Sequence, residues 1–375
     1  MQGTIAQAEF LAVLKQVAAV APKTGEGSVI RLQSLPSGML EVYWFGWTTE
    51  AAWQVPWTAT GEDPIHVVVN VARLLTTVQA LDGPTLTLIV ETDEMGTPSA
   101  FRIRGKKRRG TVPIEAHPML GHSTGFQFAA PEGEAIELPD LPWRDLGWQI
   151  LWALRTEAEG GPPALQHVLL HRSLAGQWEW VASNGQWVIW RTWDVGVPED
   201  FPSVVCPVGY LRILSTVSGP VTWIQTSKIG VVRSAGFESR TRWVDAPYPD
   251  VQRFASVDPV STWTWDAEAW TETLQDIMPM AKFGDAATLT LTITPEGSYW
   301  DGGDGTTQVQ AELSVQGASA VGPIAFPARP LQALSKLVAG SPTLTAVQGS
   351  EAMRGIFQWH GEDSTWKIVG MPYAR

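Results

Sequence analysis

Three stretches of this chain repeat one pattern: "ALDGPTLTLIV" at 80–90, "TVSGPVTWIQT" at 216–226 and "LVAGSPTLTAV" at 337–347. Upstream of each, apolar residues recur at helical spacing: Val71, Leu74, Leu75, Val78 and Leu81; Val208, Leu211, Leu214 and Val217; Leu331, Leu334, Leu337 and Val338. Gly83, Gly219 and Gly340 are predicted to stop these helices, because glycine enters the left-handed region without a Cβ penalty. Downstream, alternation predicts strands in "TLTLIVET", "VTWIQTS" and "TLTAVQ", then in "FRIRG", "IGVVRS" and "GIFQWHG". A third strand ending in proline is predicted from "GTVPIEAHP", "RWVDAPYP" and "WKIVGMPY".

A second helix opens each unit: "AEFLAVLKQVAAVAP", "PWRDLGWQILWALRTEA" and "DAEAWTETLQDIMPMAK", each followed by its own strands. The period is too long for a solenoid repeat, so the pattern is read as three similar domains, 1–134, 135–257 and 258–375. The seams fall at the polar, proline-containing stretches "APEGEAIELP" and "FASVDPVST". Two helices cannot cover both faces of sheets this large. The expected class is therefore α+β, with antiparallel sheets on one side of each unit and both helices on the other. Three such units in series suggest a curved array.

Composition narrows the function. The 375 residues are 44% hydrophobic and 17% charged, no apolar run reaches the length of a membrane span, and the first residues lack a secretory pattern. A cytoplasmic protein is expected. The single cysteine, Cys206, excludes an intrachain disulfide framework and is expected to pack as a small hydrophobe. The 20 tryptophans could stack on sugars or bases, or pack within sheets; their place in patterns such as "WVIWRTW" and "WTWDAEAW" favours packing. A net charge of -12 argues against a generally basic nucleic-acid binder but leaves open how charge divides between faces.

No catalytic constellation stands out. His167 and His171 have the spacing of a zinc-binding helix, but "LQHVLLHRS" reads as a strand. No nucleophile elbow or phosphate loop occurs. "DGGDG" at 301–305 lacks the later ligands of a calcium loop and reads as a hairpin turn. The expectation is a non-enzyme with no cofactor and no metal.

The order of the repeat, together with three segments, resembles the bacterial DNA sliding clamp, the beta subunit of the replicative DNA polymerase. "VASNGQWVIW" (181–190) is similar to that family's Val-Ala-Thr-Asp-Gly-His-Arg-Leu, "DAPYPDVQRF" (245–254) to its Phe-Pro-Asp-Tyr-x-Arg-Val, and "IVGMPYAR" to its Val-Met-Pro-Met-Arg-Leu ending. The resemblance implies the DNA clamp fold and a homodimeric ring, with helices on its inner face and antiparallel sheets outside. Such a ring encircles duplex DNA without reading its sequence. The implied partners are a DNA polymerase, the clamp loader and repair proteins, docked through short peptide motifs in an apolar cleft between domains 2 and 3.

Residue by residue, the resemblance assigns that cleft to Leu165, Ser183, Gly185, Gln186, Trp187, Val188, Pro249, Arg253, Phe254, Val369, Met371, Pro372 and Tyr373. Gln186 and Trp187 stand where the family has His-Arg. Trp187 is therefore expected to remove a charge and add a large flat surface, and so to make the partner motif more aromatic or less acidic. Helix-borne cations, with Lys23 just beyond the first helix, would face DNA: Lys15, Arg73, Arg144, Arg155, Arg212, Lys282, Arg329 and Lys336; the alternative for each is an ordinary solvated side chain. The dimer seam would match the basic run of Arg102, Arg104, Lys106, Lys107, Arg108 and Arg109 against Glu296, Asp301, Asp304 and Glu312. Two other classes stay open. One is a ring-forming paralogue with a specialised role, and the other a Trp-rich ligand-binding module.

Overall fold

The computed structural model describes residues 1–61, 63–117, 120, 125–141, 143–155, 159–254, 259–283, 288–303, 308–317, 319–338, 341–349, 357–361 and 365–370. Its element order runs through one motif three times. The first pass is β1 (Gln2–Ala6), α1 (Gln7–Val20), β2 (Val29–Ser34), β3 (Met39–Phe45), β4 (Thr49–Ala59), β5 (His66–Asn70), α2 (Val71–Ala80), β6 (Thr85–Thr92), β7 (Pro98–Arg104) and β8 (Arg109–Val112). The second is β9 (Ala135–Leu138), α3 (Trp143–Leu151), β10 (Val168–Arg172), β11 (Gln177–Ser183), β12 (Trp187–Gly196), β13 (Val204–Cys206), α4 (Val208–Leu214), β14 (Val221–Gln225), β15 (Ile229–Ser234) and β16 (Phe237–Arg242). The third is β17 (Pro259–Asp266), α5 (Ala267–Ile277), β18 (Thr288–Thr294), β19 (Gly297–Gly303), β20 (Gln308–Leu313), a short β21 (Gln316–Gly317), β22 (Val321–Pro327), α6 (Ala328–Val338), β23 (Thr343–Gly349), β24 (Phe357–Gly361) and β25 (Trp366–Gly370).

The chain forms two compact units, 1–146 with 207–243, and 147–206 with 244–375. Unit 1 holds a 12-stranded sheet whose main path is β8-β7-β6-β1-β4-β16-β15-β14-β9, with β2, β3 and β5 branching from β4. Unit 2 holds a nine-stranded sheet, β13-β10-β11-β12-β25-β24-β23-β17-β21, and a four-stranded sheet, β20-β19-β18-β22. The large sheets explain why the division cuts through the second repeat. Its β16 hydrogen-bonds to β4 of the first repeat, and its β12 to β25 of the third.

Helix formation follows the apolar spacing. Phe10, Leu14 and Val17 of α1, and Val71, Leu74 and Val78 of α2, are the buried stripes. Asn70 caps α2 and Asp266 caps α5, each accepting a backbone N–H three residues on (3.1 and 2.8 Å). The expected helix stops need correction. α2 ends at Ala80 with Leu81 extended, and α4 ends at Leu214; Gly83 (φ +103°) and Gly219 (φ +80°) lie further on, in the turns to β6 and β14. Gly340 lies outside the described residues. The third strand of the second repeat is β16; "RWVDAPYP" begins at its last residue and runs on as loop, where Pro247 and Pro249 have no N–H to give a ladder.

Seventeen of the twenty tryptophans are buried, which makes them packing residues. Trp265, Trp270, Trp300 and Trp359 meet at ring-centroid distances of 5.0–5.8 Å in unit 2. In unit 1 Trp223 stacks between Trp143 and Trp243. Among the described residues Trp243 is half-buried and Trp47 is 71% exposed, at the β3–β4 turn. Cys206 is buried, as expected.

Candidate functional site

In unit 2, strand alternation puts Leu169 and His171 of β10, Val181 and Glu179 of β11, Val188, Trp190 and Thr192 of β12, and Val369 and Lys367 of β25 on one sheet face. Val181, Val188, Trp190, Val251 and Val369 form a buried cluster there, with Leu169, Tyr248 and Phe254 packed against it and half-buried. The structure therefore brings together three of the expected cleft residues, Val188, Val369 and Phe254. Sequence reasoning missed Val181, Trp190, Tyr248 and Val251; the alternation of β11 and β12 was the available signal for the first two. Arg253 is exposed, its guanidinium 4.6 Å from the centre of the Phe254 ring, and Pro249 is exposed beside it.

The β11–β12 turn sits next to this cluster. Ser183 is buried and its Oγ accepts the Gly185 N–H (3.0 Å), while Asn184 Oδ1 accepts from Gln186 (3.0 Å) and Trp187 (2.8 Å). Gly185, at φ +90°, takes the left-handed turn position. Leu165 is buried close to it.

Trp187 corrects the sequence-based expectation. It adds no surface, being 2% exposed, because alternation turns it to the opposite face from Val188. Its cross-strand partner is Gly370, where a Cβ would fall 2.3 Å from the indole, and its ring packs near Trp152 and Phe326. Burial removes the ground for a more aromatic partner motif, while the charge that His-Arg would carry here remains absent. Gln186 is exposed, and Met371, Pro372 and Tyr373 lie outside the described residues.

Two adjoining cavities of about 260 and 500 Å³ continue along the same face, sharing Glu179, Thr192 and Lys367. Glu179 is engaged at both oxygens: His171 Nε2 lies 2.9 Å from Oε2, and Thr192 Oγ1 donates to Oε1 at 3.1 Å. His171 Nδ1 faces the Arg172 carbonyl (2.9 Å), and Gln252 Nε2 lies 3.1 Å from Nε2. Burial holds the Lys367 ammonium below the usual lysine range, a shift that Glu179 partly offsets. His171 stands on a strand, as the sequence reading held, and burial lowers the affinity of His167 for protons.

The matching seam of unit 1 is built differently. Glu50 of β4 is fully buried; it accepts the Tyr43 hydroxyl and the backbone N–H groups of Gln127 (2.7 Å) and Phe128 (2.8 Å). Burial raises its pKa above the ordinary 4.5, against the pull of those hydrogen bonds and of Arg240. Arg240 stacks over Phe126 (4.1 Å) and donates to the Phe128 carbonyl, and Arg242 stacks over Phe128 (4.4 Å). Tyr43, Phe45, Ala52, Leu120 and Phe128 close a buried cluster beneath them.

Among the expected DNA-facing cations, Lys15, Arg73, Arg212, Arg329 and Lys336 are exposed on α1, α2, α4 and α6, and Lys23 is exposed beyond α1. Arg73 pairs with Glu115 at 3.2 Å. Two placements are corrected. Arg155 lies beyond the end of α3, its N–H bonded to the Leu165 carbonyl (2.9 Å) and its guanidinium packed against Gly161, so it stands beside the cleft rather than on a helix. Lys282 falls in the 3-10 segment Met278–Phe283 after α5; its side chain, like that of Arg144, lies outside the description. α5 itself exposes Glu268, Glu272 and Asp276 and bears no cation.

Arg104, Lys106, Lys107, Arg108 and Arg109 are exposed around the β7–β8 turn, and Arg102 pairs with Glu91 at 2.9 Å. Asp82 holds that turn by accepting from the N–H groups of Lys107 and Arg108 (both 3.0 Å), which keeps its carboxyl below the usual range. Arg108 Nη1 donates to the Ala80 carbonyl at the end of α2 (3.0 Å). On the acidic side, Glu296 and Glu312 are exposed and Asp301 is half-buried; Asp304 lies outside the described residues. Among the described residues no group of three or more His, Cys, Asp or Glu is placed to hold a metal ion.

No protein-family model matches the chain, and no curated protein matches it. Solved structures do. DNA polymerase III subunit beta from Borrelia burgdorferi, in complex with a natural product, superposes with a TM-score of 0.86 at 12% identity, covering 100% of this chain and 99% of that one. The Pseudomonas aeruginosa beta subunit gives 0.84 at 15% identity with both chains fully covered. The Helicobacter pylori beta clamp bound to a DNA ligase peptide gives 0.78 at 14%, again with full coverage. The chain has the fold of these proteins from end to end.

Proposed function

We propose that this protein is a DNA sliding clamp, a homodimeric ring that encircles duplex DNA and tethers the replicative polymerase as a processivity factor. One observation carries the reading. Each large sheet joins successive repeats by the same rule: β4 pairs with β16 and β12 with β25, the third strand of one repeat's first strand group with the last strand of the next repeat's second group. The strands left over by that rule are β20 and β8, and both are sheet edges. Unpaired edges invite another strand, and β20 of one protomer joined to β8 of its partner repeats the intrachain seam a third time. Charge agrees with the pairing. β8 follows the basic turn, while Asp301 and Glu312 lie on β19 and β20.

The repeats act as modules over 1–134, 135–257 and 258–375. The cations of α1, α2, α4 and α6 touch phosphates weakly and without base readout, as sliding requires, while the carboxylates of α5 keep that contact sparse. Polymerase, clamp loader and repair proteins dock at the Val188–Val369 cleft. The reading assigns no catalytic role and no cofactor, and places the protein in the cytoplasm on the nucleoid.

The seam is tested by reversing Lys106, Lys107 and Arg109 together to Glu. Arg108 is spared because it also caps α2. Sedimentation should give a dimer for the wild type and a shift towards monomer for the variant, strongest at low salt. The wild type, once loaded, should stay on closed circular DNA and leave when that DNA is cut. A wild-type monomer, or retention on open linear duplex, defeats the proposal.

A further inference from the structure

We propose that Arg155 receives a carboxylate side chain of the docking segment, at the β11–β12 turn beside the Val188–Val369 cluster. The inference rests on the docking reading above and names a specificity that reading leaves open. Arg155 is the exception among its kind. Among the described residues every other buried or half-buried arginine meets an acceptor: Arg31 meets Glu41, Arg102 meets Glu91, Arg172 the Val197 carbonyl and Arg191 the Thr365 hydroxyl, while Arg233 and Arg240 share Glu238. Arg155 is half-buried, its Nε is shut away from water without a hydrogen-bond partner, and among the described residues no carboxylate pairs with it. A partly desolvated cation without a counter-charge costs free energy, and this one stands in a chain with 38 acidic side chains against 26 basic ones. An arriving carboxylate would offset that cost.

The guanidinium has a built seat. The Arg155 N–H donates to the Leu165 carbonyl at 2.9 Å, which ties it to the 3-10 turn Pro163–Gln166. A Cβ at Gly161 (φ +90°) would fall 2.4 Å from Nη1 and 3.0 Å from Cζ, and one at Gly185 (φ +90°) would fall 3.9 Å from Nη1 and 3.8 Å from a Leu165 methyl. The planar group therefore lies against two glycines whose missing side chains leave room for it, with Leu165 alongside. Its position suits the docking segment. Gly185 is three residues from Val188, at most about 10 Å of chain, so an extended segment of four or five residues reaches from the valine pair to the guanidinium. Gln186 is uncharged and Trp187 is buried, so Arg155 is the cation that this turn offers. A guanidinium binds a carboxylate through charge-assisted N–H bonds, whereas an amide brings only a neutral acceptor.

The test uses the intact protein and a fluorescent docking peptide from the cognate polymerase, acetylated and amidated at its ends so that side chains hold its only carboxylates. Each Asp is replaced in turn by Asn and each Glu by Gln, and affinity is read by anisotropy. One replacement, within five residues of the apolar residues that anchor the peptide, should weaken binding to the wild type at least about fivefold. In Arg155→Met the same replacement should change affinity less than about twofold, because the partner of that carboxylate is gone. Gly161→Ala keeps the charge but drives the guanidinium from its seat, and should do the same. If the peptide binds with no carboxylate in that range, if no replacement weakens it, or if the full effect persists in Arg155→Met, this inference falls and the docking reading stands. Arg155→Met that weakens the acidic and amide peptides equally, with a lower urea midpoint, makes Arg155 a strut and also overturns it. A peptide with no measurable affinity overturns both.

Discussion

The two intrachain seams share a backbone plan and differ in what stands on it. Where β4 meets β16, Glu50 faces Arg240; where β12 meets β25, the same position is Val188 facing Val369. One step along, Ala52 of unit 1 corresponds to Trp190 of unit 2, each opposite the preceding strand at Tyr43 and Val181. The charged pair binds the chain's own residues. Glu50 takes two backbone N–H groups from 127–128 and Arg240 returns a bond to the Phe128 carbonyl, so that seam is closed from within. The valine pair makes no polar demand, and its covering segment reaches the sheet through Tyr248 Oη, which donates to the Val181 carbonyl at 3.4 Å, and through Gln252 Nε2, 3.1 Å from His171 Nε2. One backbone plan thus carries either a hydrogen-bond network closed by the chain's own loop or a pair of small apolar side chains, and the proposed docking site falls on the second.

The sharpest way to break this comparison is Glu50→Ala. The substitution strands the Tyr43 hydroxyl and the N–H groups of Gln127 and Phe128, while Arg240 keeps Glu238, and should cost about 3 kcal/mol in urea unfolding. Val188→Ala, at the equivalent position, deletes only two methyl groups and should cost about 1–2 kcal/mol. Equal losses would mean that the seams are not built differently. The aromatic covers give a second contrast. Phe254→Ala should weaken binding of a docking peptide from the cognate polymerase about tenfold, the value of a half-buried ring. Its unit 1 counterpart, Phe128→Ala, should leave peptide binding alone while lowering stability by about 3 kcal/mol. Peptide affinity that responds to Phe128 as it does to Phe254 would place docking elsewhere.

Much of the fold was legible because its signals are local. Helical spacing in α1, α2 and α6 and alternation in β6, β14 and β23 each need only a dozen residues, and repetition made them mutually supporting. Val188, Val369 and Phe254 were reached through motif resemblance, and the structure clusters them. What was not legible depends on pairing across the chain. Nothing near Glu50 announces that residue 240 will lie opposite it, or that 127 and 128 will donate to it. Trp187 was misjudged because its direction follows from strand phase; one residue of alternation separates a surface from a core, and only Gly370 on the neighbouring strand leaves it room. Arg155 was misplaced for a simpler reason, since α3 ends four residues before it.

The smallest expected effect is also confined to unit 1. Burial lifts the Glu50 carboxyl above its ordinary 4.5 in the folded protein, while in the unfolded chain it titrates near that value. Between the two, the folded state binds more protons than the unfolded one, so stability falls as pH rises through the window and is highest, for this group, below about 4.5. Above the folded value the full cost of the buried charge is felt, offset by Tyr43, the two backbone donors and Arg240. Glu50→Gln keeps an acceptor for those donors and removes the titration. The wild type should therefore gain stability relative to Glu50→Gln as pH is lowered from neutrality towards 4.5, measured by urea unfolding of both proteins at matched ionic strength. No equivalent trend should separate the wild type from Val188→Ala, whose seam titrates nothing at that position. A flat difference for Glu50→Gln would mean that the hydrogen bonds and Arg240 fully cancel the burial cost, and the seam would then be as indifferent to protons as its valine counterpart.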